Sequence, residues 1–301
     1  MTSAAAPTLA ARHPHPLWLY TLIGLMQFFW SANFLVGKIA LREFPALLVA
    51  GLRVWIAALV ILPVYAWKAR GDVAWKRSDL PKLLFLGFIG GGINQVGFVW
   101  GLSKTSVAHS AFIIGMTPIS VLAFAAARGL ERISARRVAG MATAVAGVLL
   151  LSTERTGAGP TLAGDLVTLL GGTAFALYSV LSKEVTRQYG TLALNTFLFG
   201  SGALLLSPLV IWQGSSFLFG GVSFAGWLAL VYMAVFPSLV CYLIFFYALG
   251  WIAPSRLATL AYLQPLAATA SGALLLGEPV SGTLLAGGAV ILAGVWLTER
   301  A

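Results

Sequence analysis

Cysteine and acid are both scarce in this chain. Cys241 is its one cysteine, and only nine of its 301 residues are Asp or Glu. A single cysteine excludes an intrachain disulfide and a cysteine-built metal cluster. Charged residues make up 9% of the chain, against roughly 25% in soluble domains. With a mean hydropathy of +0.91, that scarcity excludes a water-soluble fold. No polar stretch is long enough for a separate aqueous domain. A phosphate-cradling Gly-rich motif ending in Lys-Ser/Thr and a zinc-binding His-Glu-x-x-His are also missing. The expectation is a protein that is not an enzyme and needs no cofactor or metal.

What the chain has in quantity is apolar runs of membrane-spanning length. A bilayer-crossing helix takes about 20 mostly apolar residues. Ten such runs lie near 17–40, 45–67, 80–102, 106–127, 134–153, 162–182, 191–212, 222–247, 253–276 and 279–298. The expected fold class is an all-α membrane protein. The last five runs repeat the first five at an unbroken offset of 147 (265 less 118). Leu102 then meets Leu249, Pro118 meets Pro265, Glu131 meets Glu278 and Ser134 meets Ser281. Gly140 likewise meets Gly287, and Gly147 meets Gly294. An odd number of spans per repeat turns the second repeat upside down, as in many secondary transporters whose site lies between the halves. The organisation read from this is a tail over 1–16, a first five-helix repeat over 17–153 and a linker over 154–161. An inverted second repeat follows over 162–298, then a tail over 299–301. The repeats should enclose a central cavity.

The net charge of +10 invites a nucleic-acid partner, but topology accounts for it better. Fourteen of the 19 basic residues fall on the side shared by both termini, and five on the other. Positive loops stay in the cytoplasm, so both termini are expected there. The partners expected are the lipid bilayer and a small-molecule substrate (an amino acid), with no nucleic acid; the oligomeric state is left open, a monomer being compatible with the sequence.

Polar residues at mid-membrane depth are expensive and face the bundle interior. On that ground the candidate substrate-binding residues are Gln27, Trp30, Asn33, Asn94, Gln95, Thr117, Tyr178, Tyr232, Tyr262 and Gln264. Amides and phenols can hydrogen-bond both ends of a zwitterion, while indole and phenol faces can stack on its side chain. The candidate hinges are Gly90, Gly91 and Gly92, which weaken a helix, and Pro118, Pro237 and Pro265, each of which removes a backbone hydrogen bond. Pro237 falls opposite Gly90 at the same offset. His109, near the outer end of its helix, reads as a wet surface histidine. Arg53 reads as a partner for Glu43 or an attractor of anionic groups near the exit. All nine acids fall in loops or helix ends, so no buried carboxylate relay is expected.

Several of these features together resemble the drug/metabolite transporter superfamily, and within it the ten-helix EamA-type exporters. They are the opening Phe29-Trp30-Ser31-Ala32-Asn33-Phe34-Leu35-Val36-Gly37-Lys38, then Pro45 and Arg53, and the Leu102–Pro118 segment with its echo from Leu249 to Pro265. Glu131 and Glu278, each followed by a Gly-rich last helix, add to them. Among members, the chain is most similar to bacterial exporters of amino acids, the aromatic-amino-acid exporter included. The resemblance implies export of neutral amino acids across the inner membrane by alternating access. Aromatic amino acids lead, with threonine and methionine as further candidates. Small multidrug relatives keep a glutamate in helix one where this chain offers Gln27 and Trp30, so transport uncoupled from protons is expected. The alternative is export of another small metabolite or a drug, with proton coupling; a membrane-embedded enzyme or a channel ranks below both.

Overall fold

Lipid offers nothing to an unpaired backbone group, and an α-helix satisfies its own. The computed structural model of the chain accordingly builds only helices among its described residues, which are 15–68, 75–130, 134–151, 153, 161–252, 257 and 263–299. The first half comprises α1 (Pro16–Ala40), α2 (Ala46–Lys68), α3 (Leu80–Leu86), α4 (Asn94–Lys104), α5 (Val107–Ile114), α6 (Thr117–Ala127) and α7 (Ala135–Leu151). The second comprises α8 (Leu162–Tyr189), α9 (Thr191–Ser215), α10 (Phe224–Met233), α11 (Cys241–Leu249), α12 (Leu263–Leu276) and α13 (Gly282–Glu299).

Among the described residues, seven helical segments are long and apolar enough to cross a membrane: 16–40, 46–68, 77–104, 107–127, 162–189, 191–215 and 224–249. The other three expected spans correspond to α7, α12 and α13. Large apolar side chains such as Trp18, Leu204, Ile211, Trp212 and Leu274 are exposed on the perimeter, whereas Gln27, Asn33, Asn94, Gln95 and Asn195 are buried inside. That inversion of the aqueous pattern suits a lipid surround.

The 147-residue offset reappears in three dimensions. Residues Gly87–Ile93 join α3 to α4 as a π-helix, and Ala234–Val240 join α10 to α11 in the same way. Their bounds are equivalent, since 234 less 87 and 240 less 93 are both 147. Helix pairings also come in symmetry-related sets. α1 packs on α10 and α11 as α8 packs on α4, and α1 packs on α12 as α8 packs on α6. α2 with α9, and α7 with α13, are pairs that map onto themselves.

Glycine makes the tightest seams possible, because lipid gives helices no hydrophobic drive to associate and close packing must supply it. A Cβ placed on Gly97 would lie 2.7 Å from Gly171 Cα, and one on Gly147 would lie 2.7 Å from Ile291 N. Gly190, at φ 84°, ends α8 and lets α9 begin at the next residue.

Candidate functional site

Between the two halves lies a cavity of about 610 Å³. Its deep walls come from α1 (Gln27, Trp30, Asn33, Phe34), α2 (Arg53), α4 (Asn94, Gln95, Phe98) and α8 (Phe175, Ser179). Thr117 and Pro118, Pro237, Tyr242 and Phe245, and Gln264 complete them. The mouth, where α3 begins and α8 ends, carries Lys82, Arg128, Lys183, Glu184 and Arg187. Lys82 Nζ meets Glu184 Oε2 at 2.5 Å there, in a well-exposed pair.

Proline chemistry shapes two of the walls. Pro237 has no N–H, so the carbonyl four residues back, Met233 O, loses its helical donor. Ser238 Oγ donates to that oxygen at 2.8 Å. The π-helical turn also leaves the Pro237 carbonyl available, and Trp30 Nε1 donates to it at 3.0 Å. Pro118 does the same at Ile114 O, which accepts from Thr117 Oγ1 at 2.6 Å. The expected fourth span therefore breaks into α5 and α6 at Gly115 and Met116. A Cβ on Gly115 would stand 3.2 Å from Pro265 Cγ, so the two proline-bearing helices cross at this break.

Aromatic rings form the cavity's girdle. Trp30 meets Phe175, Tyr242 and Phe245 with centroids 5.9, 6.4 and 5.7 Å apart. Amides join the halves across it. Tyr242 Oη donates to Asn94 Oδ1 at 2.6 Å, Gln95 Nε2 donates to Tyr242 Oη at 3.1 Å, and Asn94 Nδ2 donates to Gly171 O at 3.1 Å. Gln264 donates to the amide oxygen of Gln27.

The far end is closed. Phe34 and Phe98 meet edge to face at 5.4 Å and form a floor. Beneath it Lys38 Nζ donates to Thr105 O at 2.5 Å, and Thr105 Oγ1 donates to Asp165 Oδ1 at 2.6 Å. His109 Nδ1 lies 3.3 Å from Asp165 Oδ2, with both side chains buried. The Glu278 carboxylate receives the Val107 N–H at 3.0 Å. α1, α4, α5, α8 and the α12–α13 connection are thus tied together at this end.

The EamA-like transporter family matches the sequence twice, over residues 17–153 and 162–300. The chain belongs to the EamA-like transporter family. A Salmonella typhimurium protein named "Probable amino-acid metabolite efflux pump" is 28% identical over 282 residues, covering 89% of this chain and 90% of its own. The Escherichia coli protein of the same name is 27% identical over 286 residues, again covering 89% and 90%. "Uncharacterized transporter YetK" of Bacillus subtilis is 23% identical over 274 residues, covering 89% of this chain and 82% of its own. A solved crystal structure matches with a TM-score of 0.65 over 94% of this chain and 96% of that one, at 19% identity, which shows the shared fold. This is therefore an integral membrane protein from a family of transporters.

In this EamA-family chain, seven of the ten candidate binding residues line the cavity: Gln27, Trp30, Asn33, Asn94, Gln95, Thr117 and Gln264. Tyr178 is fully buried behind the wall, where its ring abuts Gly90. Tyr232 stands on the side of α1 marked by Phe29, donating to Phe29 O at 3.2 Å. Tyr262 lies outside the described residues. Pro118 and Pro237 reach the cavity; Pro265 and Gly90, Gly91 and Gly92 stand behind it. Two readings are corrected. His109 is buried against Asp165 rather than wet, because α8 covers it. Arg53 does not pair with Glu43, whose carboxylate is held by Ser223 N and Oγ, both at 2.6 Å. Phe98, Phe175 and Phe245 are walls that polarity-based reasoning passed over. The offset marks two of them, since 245 less 98 is 147.

Proposed function

We infer that the chain is a secondary transporter exporting neutral amino acids, aromatic ones first, by alternating access. The observation that carries this reading is a cavity between inverted repeats that is open at one end and latched at the other. Rings flank it and amides cross it, which suits a zwitterion bearing an apolar side chain. Taking the basic end as cytoplasmic makes this the inward-facing state of an inner-membrane protein with cytoplasmic termini. The relatives named as amino-acid metabolite efflux pumps support the substrate class. Glu184, at the exposed mouth, is the one acid lining the cavity among the described residues, and it is paired with Lys82. A wall with no deep carboxylate supports transport driven by the substrate gradient alone.

The experiment is flux from liposomes preloaded with labelled phenylalanine, threonine or methionine, with and without an imposed pH gradient. Efflux down the amino-acid gradient, indifferent to pH and lowered by Trp30→Ala, is the expected result. Efflux that requires a proton gradient would overturn the uncoupled mechanism. Absence of amino-acid flux from folded protein would overturn the substrate class.

A further inference from the structure

Among the described residues, Arg53 is the one charged group deep in the cavity wall. It is 3% exposed, in the second turn of α2, and its guanidinium carbon lies 5.6 Å from the centroid of the Phe98 ring at the cavity floor. Its Nε and Nη2 donate to Ser238 Oγ at 3.1 and 2.8 Å. Its Nη1 is buried with no hydrogen-bond partner among the described residues. A hydroxyl is a neutral acceptor and gives the cation no counter-charge. The described acids near either end of the bundle are engaged elsewhere. Glu43 is held by Ser223, Asp79 by Tyr189 and Gln188, and Asp165 by Thr105 and His109. Glu184 is held by Lys82 and Glu278 by the Val107 N–H. A buried guanidinium with an unused donor edge is a strong attractor of a planar carboxylate, which it can hold by two parallel hydrogen bonds.

A second unused group lines the same cavity. Asn33 lines the cavity, is 5% exposed, and its Oδ1 has no partner among the described residues. It lies one helical turn beyond Trp30, whose indole N–H is bonded to Pro237 O, while Arg53 is bonded to the adjacent Ser238. The cavity wall thus holds one orphaned donor, on Arg53 beside the π-helical turn, and one orphaned acceptor, on Asn33 of α1.

We propose that Arg53 anchors the carboxylate of the transported molecule and Asn33 Oδ1 receives its ammonium. This deepens the amino-acid reading above and rests on it for the ammonium. The side chain then points back into the ring girdle of Trp30, Phe175 and Phe245. The basic mouth, with Lys82, Arg128, Lys183 and Arg187 against Glu184, favours arrival of the carboxylate end.

Calorimetric titration of the purified full chain with phenylalanine, 3-phenylpropionate and phenylalaninamide tests it. Phenylalaninamide, which has no carboxylate, should bind about 10- to 100-fold more weakly than phenylalanine. Arg53→Gln should erase that preference, and Arg53→Lys, which keeps a charge, should restore part of it. Asn33→Leu should weaken phenylalanine while leaving 3-phenylpropionate unchanged. The wild-type comparison stands if Arg53→Gln does not fold. Equal affinity for phenylalanine and its amide would overturn the anchor and leave the amino-acid reading intact. Binding of 3-phenylpropionate without phenylalanine would uphold the Arg53 anchor and overturn the amino-acid reading. Binding of none of the three to folded protein would overturn both.

Discussion

Gln95 donates from Nε2 to Tyr242 Oη at 3.1 Å, and the two residues occupy equivalent positions in the two repeats, 147 apart. A direct bond between equivalent residues places both beside the pseudo-two-fold axis. The amide and the phenol differ because one must donate where the other accepts. Tyr242 in turn donates its own hydroxyl hydrogen bond to Asn94 Oδ1 at 2.6 Å. One phenol therefore satisfies two amides at the centre of the cavity wall.

Tyr242→Phe should accordingly destabilise the protein by more than one lost hydrogen bond. The ring stays, keeping its edge contacts with Phe175 and Phe199, but Asn94 Oδ1 and Gln95 Nε2 each lose the phenol and keep only their bond to each other at 3.3 Å. Each of the two lost hydrogen bonds costs about 0.5–1.5 kcal/mol. A lowered melting temperature in detergent is expected, with retained helicity; an unchanged one would show that these amides find other partners.

Much of this architecture was legible in the sequence because its cause is local. Apolar runs of spanning length, Pro118 and the matched glycines act within a few residues of where they stand. The repeat offset carried further than its use: it also marks Phe98 with Phe245 and Thr117 with Gln264, all cavity-lining. What could not be read was which distant helix covers a given side chain. His109 looks exposed by its position near a helix end, and only the packing of α8 makes Asp165 its neighbour. Arg53 looks like a loop-side charge until Ser238, on the π-helical turn of Pro237, is seen opposite it.

The glycine run separates two kinds of tight contact. A Cβ on Gly91 would stand 2.8 Å from the backbone oxygen of Leu198, whereas on Gly92 it would meet the flexible end of Leu205, also at 2.8 Å. Backbone cannot step aside without moving α9. Gly91→Ala should therefore lower stability by about 1–3 kcal/mol and Gly92→Ala by clearly less, measured as melting temperatures side by side. Equal losses would mean that the π-helix itself, rather than its contact with α9, requires glycine.

Glu43 provides a pH-dependent tie between the α1–α2 turn and the start of α10. Hydrogen bonds from the Ser223 hydroxyl and N–H hold its carboxyl below the ordinary carboxylate range. A carboxyl with a depressed folded pKa stabilises the fold fully above its unfolded value of about 4.3. That contribution disappears as pH falls through the folded value. Glu43→Gln removes it at every pH. The gap in melting temperature between wild type and this variant should hold steady from neutral pH down to about 5 and close below about 4. A gap that persists at lower pH would show that shape, not charge, makes the tie.

The latch at the closed end predicts its own failure. Asp165 accepts from Thr105 and faces His109 out of contact with water, and with Lys38 bound to the same loop it ties α8 to α1, α4 and α5. Asp165→Asn keeps the shape and discards the charge that strengthens these bonds. The closed end should then open more often, while the cavity wall, which Asp165 does not touch, stays as it is. Ala111 is fully buried in the packing below the Phe34–Phe98 floor, so Ala111→Cys reports on opening once Cys241 is replaced by alanine. Labelling of that thiol by a membrane-impermeant maleimide, added from the side of the latch, should quicken about 10-fold in Asp165→Asn, equivalent to about 1.4 kcal/mol in the opening equilibrium. Faster labelling with unchanged phenylalanine affinity would assign Asp165 to the gate. Unchanged labelling would mean that Glu278 and Lys38 hold the end shut without it.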